Sequence, residues 1–427
     1  MALQVTAAPD DPDLLFLPWD VPLEEWPADR LVALPRGISR HVVRFVRLHG
    51  RVYAIKEVPE RLARKEYRLL RDLDRLGAPT VEAVAVVHGR ESADGEPLEP
   101  ALITRHLQFS LPYRALFSST LRPDTANRLL DALSLLLVQL HLYGFAWNDC
   151  SLSNTLFRRD AGTFAAYLVD AETGEMHEHL SNGQREYDLD VARTNIFGEL
   201  SDLEAGGMLH ESIEAVHTAD AVFRRYHRLW EELTEPLEVT PGSRYLVDAR
   251  IRRLNDLGFD VAELEVVGSP GAETVRVQPK VVDAGHHSRR LLRLTGLDVQ
   301  ENQARRLLND MDSYRAALQL AEADEGVAAH RWVMDVFEPV VRAVPKDQRG
   351  KLEPAEIFHE VLEHRWFLSE RAGQDVGLDV AAEAYVRDVL RAKPLEQAVL
   401  GARLGTPTDS TGELRLTFTA EDDGISP

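Results

Sequence analysis

The sequence predicts an α+β protein built from two domains. Its 427 residues exceed the length that one hydrophobic core usually spans, so two domains are expected. Residues 31–56 alternate short apolar runs with turn residues, a pattern typical of three antiparallel strands. From Asp124 onward the pattern becomes helical, and the composition changes again at Thr234. These observations place a mixed first domain before a smaller α+β domain that is rich in helices.

The first domain opens with strands and one well-delimited helix. In the helical stretch after residue 56, Pro59 is typical of the first turn of a helix, and Gly77 is typical of a helix C-terminus. Two further strand-like runs, VEAVAVV and ALIT, follow. A long apolar helix then leads through Leu140 to a polar loop at 148–154, two more strands and a helix expected over 188–203.

Changes in composition set the expected domain boundaries. Residues 1–29 form an N-terminal extension, 30–235 the first domain and 236–403 the second. The stretch TEPLEVTPGS, from Thr234, is typical of a linker. Residues 404–427 alternate Gly, Thr, Asp and Pro, which predicts a disordered acidic tail.

Charge and cysteine usage exclude several classes of protein. The chain has 49 Lys+Arg against 70 Asp+Glu, a net charge of −21 that repels phosphate backbones and anionic lipid. We therefore expect no nucleic-acid partner. Cys150 is the single cysteine, which excludes an intrachain disulfide framework. Since neither a signal peptide nor an apolar run of about 20 residues stands out, we expect a cytoplasmic protein without a transmembrane segment.

One carboxylate falls on an apolar helix face. After residue 56 the positions that step by four, three, four and three residues share one side of the helix, and they are Leu62, Glu66, Leu69, Leu73 and Leu76. A buried carboxylate is costly unless it is paired. We therefore expect Glu66 to have a cationic partner.

The most informative segment is LHLYGFAWNDCSLSNTLF, residues 140–157. It resembles the catalytic loop of the protein-kinase-like superfamily. Asp149 and Asn154 fall at the positions of the conserved aspartate and asparagine in that pattern. In that loop one carboxylate orients the proton of the acceptor, and a side-chain carbonyl on the same loop coordinates magnesium. An ordinary polar turn after a buried helix would also favour Asp and Asn.

Other parts of the superfamily pattern follow in chain order. VYAIK resembles the strand whose lysine binds the nucleotide phosphates, which implies that role for Lys56. The segment YLVDAE resembles the strand that precedes the superfamily's magnesium-binding aspartate, which implies that role for Asp170. In kinases the strand lysine pairs with a glutamate of the next helix, which implies a Lys56–Glu66 ion pair. The alternative is a partly exposed Glu66 paired with a neighbouring arginine.

The resemblance implies a two-lobed protein-kinase-like domain that binds ATP and Mg²⁺. It implies catalytic roles for Asp149, Lys56 and Glu66, and metal-ligand roles for Asn154 and Asp170. The short stretch after Asp170 is similar to lipopolysaccharide-core and small-molecule kinases rather than to protein kinases. The combined arrangement is similar, over most of the chain, to a bacterial family in which a lipopolysaccharide-kinase-like half precedes a domain of unknown function.

Several positions depart from the superfamily pattern. The glycine-rich loop is reduced to RGISRH, in which Gly37 gives backbone freedom and Ser39 or Arg40 would bind phosphate together with Lys56. Trp147 replaces the usual histidine or tyrosine before the catalytic aspartate, and Glu172 replaces a glycine. Glu172 either adds a metal ligand or is solvated.

A later helix is expected to brace the catalytic loop. It carries Asp188 and Asp190, and the sequence does not distinguish which of them contacts the loop.

The predicted function is ATP- and magnesium-dependent phosphoryl transfer to a hydroxyl group. A sugar, a glycan or a small metabolite is favoured over a protein as the acceptor. The alternative is a pseudokinase that acts as a regulatory scaffold through its second domain. The reduced glycine loop is the main support for this alternative.

The second domain offers one candidate binding site. A strand runs into a helix at PKVVDAGHHSRRLLRL, where His286, Ser288 and Arg289 surround the helix N-terminus and suit a phosphorylated ligand. The alternative is a simple strand-to-helix turn with solvated basic residues. The aromatic residues of the helical stretches are predicted to be core, namely Trp332, Phe337, Trp366 and Phe367.

Overall fold

A computed structural model of the chain describes residues 3–7, 12–32, 41–117, 123–211, 213–235, 237–239, 244–256, 259–267, 275–318 and 325–396. These residues form two compact units. The first contains the described residues up to 158, together with 166–223 and 394–396, and the second contains 159–165 and 224–393. The tail predicted at 404–427 lies outside the described residues. No described helix is both long and apolar enough to cross a bilayer.

An antiparallel sheet forms the first lobe of the first unit. Its described strands are β1 (Gln4–Ala7), β2 (Val43–Leu48), β3 (Arg51–Glu57), β4 (Ala83–His88) and β5 (Ala101–Arg105). They lie in the order β1-β4-β5-β3-β2. The β2–β3 hairpin turns at Gly50, whose φ of 80° favours glycine. The first of the three strands predicted at 31–56 is reduced, among the described residues, to an isolated bridge at Leu31.

Helix α1 (Glu60–Arg75) connects β3 to β4 and has the predicted bounds. It begins after Pro59 and ends before Gly77, which has a φ of 75°. Its buried residues are Ala63, Glu66, Leu69, Leu70 and Leu73. The predicted apolar face is therefore present, although Leu62 is half-buried and Leu76 is exposed.

The opposite face of the sheet is covered by the N-terminal segment. Leu14, Leu17, Trp19, Leu23 and Trp26 pack in one core cluster with side chains of β2 to β5. The side chains of β4 and β5 alternate, since Ala85 and Ile103 join this cluster while Val86 and Leu102 face the α1 side. The segment from residue 12 is thus part of the lobe's core.

The second lobe combines short strands with long helices. Its elements are β6 (Ser110–Pro112), α2 (Tyr113–Leu116), α3 (Pro123–Leu142), β7 (Phe145–Ala146), β8 (Thr155–Asp160), β9 (Thr163–Leu168), β10 (Glu175–Met176), α4 (Asn182–Ala205) and α5 (Ala215–Thr234). Strand β8 lies between β6 and β9, and β7 pairs with β10. Helix α4 begins six residues before the predicted position 188, because Ser181 and Gln184 form a capping box.

The second unit is mainly helical. Its elements are β11 (Leu237–Val239), α6 (Arg244–Asp256), β12 (Phe259–Val267), β13 (Val275–Ala284), α7 (His286–Thr295), α8 (Glu301–Ala317), α9 (Glu325–Trp332), α10 (Glu338–Ala343), α11 (Pro354–Ala372) and α12 (Leu378–Asp388). Trp332 and Phe337 are core residues, as predicted. The same prediction is wrong for Trp366 and Phe367, which are 66% and 46% exposed. The buried residues of α11 lie in its first half, and these two aromatic residues follow them.

The tip of the β8–β9 hairpin belongs to the second unit and caps α8. A carboxylate oxygen of Asp160 accepts a hydrogen bond from the backbone N–H of Gln303 at 2.7 Å, and the other accepts one from that of Asn302 at 3.2 Å. Burial raises the pKa of Asp160 to about 6, although these donors act in the opposite direction. The hairpin thus satisfies N–H groups that the first turn of α8 leaves unpaired.

Candidate active site

Lys56 lies near the end of β3 and is surrounded by carboxylates. Its Nζ is 3.1 Å from Oε2 of Glu66 and 2.7 Å from Oδ2 of Asp170. Glu66 is 1% exposed. The predicted buried Lys56–Glu66 pair is therefore confirmed, and the alternative of a partly exposed Glu66 beside an arginine is wrong.

Glu172 adds a third carboxylate to this cluster. Its Oε2 is 3.2 Å from Nζ of Lys56 and 2.9 Å from Nε2 of His41. The side chain is 13% exposed, so it is not simply solvated. The ammonium group has three N–H donors, and three carboxylates lie within hydrogen-bond distance of it. This excess of negative charge favours an added cation.

Burial and the neighbouring charges change the pKa values of the groups in this cluster. Burial raises the pKa of Glu66 to about 8, and the Asp170 carboxylate acts in the same direction while Lys56 opposes it. Burial favours the neutral form of Lys56, but Glu66 and Asp170 together outweigh burial and raise the pKa of Lys56. Burial also opposes ionisation of Asp170, yet the Lys56 ammonium holds the pKa of Asp170 below its usual value. Of these two carboxyl groups, Glu66 is the one whose pKa is raised and Asp170 the one whose pKa is lowered.

We expect Glu66 to make the stability of the first unit fall as the pH rises. An unfolded glutamate titrates near pH 4.5, whereas the pKa of folded Glu66 is about 8. The folded state therefore binds the extra proton, and its stabilising effect, complete below pH 4.5, is lost as the pH rises through about 8. Because Glu66→Gln cannot titrate, the thermal midpoint of the variant minus that of the wild type should increase between about pH 5.5 and 8.5. A difference that stays constant or decreases would contradict the raised pKa of Glu66.

Asp149 and Asn154 lie together on the loop between β7 and β8. The Nδ2 of Asn154 donates to the backbone oxygen of Asp149 at 3.0 Å and to its Oδ2 at 3.3 Å. The backbone oxygen of Asn154 accepts a hydrogen bond from the N–H of Val169 at 3.0 Å. Asn154 is thereby held next to the residue that precedes Asp170.

The motif glycine of this loop has a steric role. Gly144 has a φ of 77°, and a Cβ atom added there would lie 2.1 Å from the backbone oxygen of His177. Any other residue would therefore prevent the close approach of the segment around β7 to the segment that follows β10.

Asp188, and not Asp190, braces the loop that is predicted to be catalytic. Its carboxylate accepts hydrogen bonds from the backbone N–H groups of Trp147 and Asn148, each at 2.7 Å, and lies 3.0 Å from Nε2 of His141. Asp188 is fully buried, whereas Asp190 is exposed. Asn148 has a φ of 60°, so Asp188 secures an unfavourable backbone conformation directly before Asp149.

Trp147 connects the two halves of the site. Its indole Nε1 donates to the backbone oxygen of Asp170 at 2.8 Å, and the ring is fully buried. The residue that departs from the superfamily pattern thus fixes the distance between the catalytic loop and the Asp170 segment.

Two residues of α4 at this site were not predicted from the sequence. Asn195 donates through Nδ2 to Oδ1 of Asp149 at 3.1 Å and to the backbone oxygen of Cys150 at 3.2 Å. Glu199 accepts hydrogen bonds from the backbone N–H groups of Leu152 at 2.6 Å and Ser153 at 3.0 Å. They lie 7 and 11 residues after Asp188 on the same helix. Because these spacings place all three residues on one helix face, the spacing from Asp188 is the feature of the sequence that could have indicated them.

Two family models match consecutive parts of the chain. Residues 45–196 match the model of the lipopolysaccharide kinase (Kdo/WaaP) family, and residues 228–390 match DUF4032, a domain of unknown function. The chain joins a lipopolysaccharide-kinase-like domain to a DUF4032 domain. The resemblance inferred from the motifs is thereby confirmed.

The structure of WaaP in complex with acyl carrier protein is similar to this chain at 18% identity. The alignment covers 60% of this chain and 99% of that chain, with a TM-score of 0.36. No curated protein matches the chain significantly.

The glycine loop of the lipopolysaccharide-kinase-like domain lies outside the described residues. Gly37, Ser39 and Arg40 fall in this part of the chain, so their predicted contact with phosphate stays a prediction. His41, the first described residue after the loop, contacts Glu172.

The anion site predicted in the DUF4032 domain is not supported. One carboxylate oxygen of Glu301 accepts the backbone N–H of His287 at 2.8 Å, and the other accepts that of Ser288 at 3.0 Å. The N-terminus of α7 beside His286 and Arg289 is therefore already capped by an internal anion. This contact corrects the prediction of a phosphorylated ligand there.

Proposed function

We propose that the lipopolysaccharide-kinase-like domain transfers the γ-phosphoryl group of ATP, with Mg²⁺, to a hydroxyl group of a sugar, a glycan or a small metabolite. The observation that carries this proposal is the convergence of three predicted side chains, with Nζ of Lys56 2.7 Å from Asp170 and 3.1 Å from Glu66. The match to the lipopolysaccharide kinase family model supports a kinase-type reaction on a sugar.

The donor set suits a magnesium ion. Asp170 supplies a carboxylate whose pKa is lowered, and Asn154 supplies an amide oxygen, because its amide nitrogen is used on Asp149. Such oxygen donors are the ligands that Mg²⁺ prefers. Bound Mg²⁺ would neutralise charge on the phosphate oxygens. Lys56 would bind phosphate oxygens while Glu66 keeps its ammonium group in place.

Asp149 acts on the acceptor side. A bond forms between the acceptor oxygen and the γ-phosphorus, and the bond from the γ-phosphorus to the bridging oxygen breaks. The bridging oxygen leaves with the electron pair as part of ADP. The proton of the acceptor hydroxyl passes to the carboxylate of Asp149.

The segment after Asp170 supports a small acceptor. Only residues 171–181 separate Asp170 from α4, which leaves little room for a peptide-binding loop. An open pocket of about 380 Å³ lies beside Asn148, and its lining includes Glu175, His177 and Gln184. Carboxylate, imidazole and amide groups of this kind form hydrogen bonds with the hydroxyl groups of a sugar.

The second candidate function is a regulatory scaffold without turnover. Glu172 supports it, because this carboxylate contacts the ammonium group that the phosphates of ATP would need. Incubation with γ-labelled ATP, Mg²⁺ and a cell extract distinguishes the two functions. We expect label in the non-protein fraction. Label confined to protein would contradict the acceptor class, and an absence of any ATP turnover would favour the scaffold.

ATP binding should be visible as a stabilisation of the protein. A ligand that binds only the folded state at about 100 times its Kd adds about 2.7 kcal/mol to the free energy of unfolding. We expect Mg-ATP to raise the thermal midpoint of the wild type and Lys56→Ala to lose most of that increase. Lys65→Ala, on the neighbouring helix α1, is the matched control and should keep it. A wild type that shows no increase with ATP, ADP or GTP and either Mg²⁺ or Mn²⁺ would contradict nucleotide binding.

A further inference from the structure

Asn195 makes a side-chain contact with the carboxylate assigned to the acceptor. Its Nδ2 lies 3.1 Å from Oδ1 of Asp149, while Asn154 holds Oδ2 at 3.3 Å. Each oxygen of the Asp149 carboxylate is thus held by a different amide N–H. A carboxylate oxygen has two lone pairs, so one hydrogen bond from an amide N–H does not use its full acceptor capacity.

The orientation of the Asn195 amide follows from its neighbours. Oδ1 of Asp149 and the backbone oxygen of Cys150, 3.2 Å away, are both acceptors. Only the NH₂ group of the amide can face two acceptors, so its nitrogen must point toward the loop. The hydrogen bond to Cys150 fixes the amide, and the fixed amide in turn fixes Asp149.

Helix α4 provides a rigid base for this contact. Asp188, Asn195 and Glu199 lie on one face of α4, at spacings of seven and four residues. Asp188 holds backbone N–H groups before Asp149, and Glu199 holds backbone N–H groups after it. Asn195 lies between them, and of the three it contacts the reactive side chain itself.

We propose that Asn195 is a positioning residue for phosphoryl transfer, which orients the carboxylate of Asp149 toward the acceptor hydroxyl. This inference rests on the proposed function. Asp188 and Glu199 set the path of the backbone, but the carboxylate can still rotate about its own bonds. A general base must lie within hydrogen-bond reach of the proton that it removes, and a misplacement of about 1 Å can cost about 10²-fold in rate.

The test is a comparison of kcat and KM for Mg-ATP in Asn195 variants. We expect Asn195→Ala to lower kcat by about 10- to 100-fold while KM for Mg-ATP stays within about twofold, because Asn195 contacts the acceptor side. Asn195→Asp keeps the shape but replaces the donor with an acceptor, so its kcat should fall at least as far. Thr194→Ala is the matched control, since Thr194 is exposed on α4 and its hydroxyl donates to the backbone oxygen of Asp190, and its kcat should not change.

A double-mutant cycle separates positioning from a general structural role. In the Asp149→Asn background, Asn195→Ala should lower the residual turnover by less than about twofold, because the group that it positions has been removed. A kcat equal to that of the wild type in both Asn195 variants would overturn the inference, as would losses that are independent of Asp149. If the wild type itself shows no turnover, the proposed function fails and the positioning role fails with it. An active wild type with unaffected variants overturns only the role of Asn195.

Discussion

Asp149→Asn is expected to lower ATP turnover by about 10²- to 10⁴-fold, the usual contribution of a positioned general base. The substitution preserves the size of the side chain but removes the charge that would take the acceptor proton. Asp149 lies on the loop and is held by Asn154 and by Asn195 of α4, whereas Lys56 and Asp170 belong to the separate cluster for which we propose nucleotide binding. The affinity for Mg-ATP should therefore remain within about twofold of the wild type.

Asp170→Asn should behave differently from Asp149→Asn. Asp170 lies 2.7 Å from Lys56 and is assigned as a metal ligand, so both turnover and Mg-ATP binding should be lost. Asp190→Asn is the matched control, because Asp190 is exposed on α4. Turnover measured beside calorimetric binding of Mg-ATP distinguishes the three variants. Full turnover in Asp149→Asn would show that the catalytic residue lies elsewhere on the loop.

The contacts of Lys56 with carboxylates could be predicted from the sequence because their signals are local. Glu66 is a carboxylate at an apolar position of a periodic helix, which predicts a buried pair before any fold is known. Lys56 lies near the end of β3 and Asp170 follows β9, and both strands have a recognisable sequence pattern. The structure brings the consecutive elements β3 and α1 together with Asp170, which is 114 residues from Lys56 in the sequence.

The supports of the catalytic loop could not be predicted in the same way. Asp188 and Asp190 lie on the same helix, and only the rotation of α4 relative to the loop decides which of them is buried. Asn195 and Glu199 share the face of Asp188 at helical spacing, but this spacing points to them only after the structure has shown that Asp188, and not Asp190, is buried. The prediction that Trp366 is a core residue is wrong for the opposite reason. An apolar side chain in a helix does not reveal whether that part of the helix packs against the core.

Arg90 shows how a stabilising residue can be invisible in the sequence. It lies two residues after the end of β4, yet its side chain is fully buried. Nη1 donates to Oε1 of Glu57 and to the backbone oxygen of Glu99, each at 2.7 Å. Nη2 donates to the backbone oxygen of Val21 at 2.7 Å, and Nε donates to that of Trp19 at 3.1 Å. These partners come from three separate segments, so no local pattern marks Arg90 as buried.

Arg90→Met is expected to destabilise the first lobe by about 3–5 kcal/mol, the typical cost of removing one partner from a buried ion pair. Methionine fills much of the space, but it leaves the Glu57 carboxylate without its cation and three backbone oxygens without this donor. The N-terminal segment should loosen first, because Trp19 and Val21 are held to the sheet through Arg90. Adding Glu57→Gln should recover part of the loss, since it removes the unpaired charge.

Denaturant unfolding and amide hydrogen exchange together measure this effect. We expect a lower unfolding midpoint and faster exchange across residues 12–26 in Arg90→Met, because local opening of this segment becomes easier. Arg68→Met is the matched control, since Arg68 is exposed on α1 and its Nε donates to the backbone oxygen of Arg64, so the change should be about 0.5 kcal/mol or less. If Arg90→Met matches this control in both measurements, the buried guanidinium does not stabilise the lobe, and the apolar contacts of Leu14, Leu17 and Leu23 hold the segment without it.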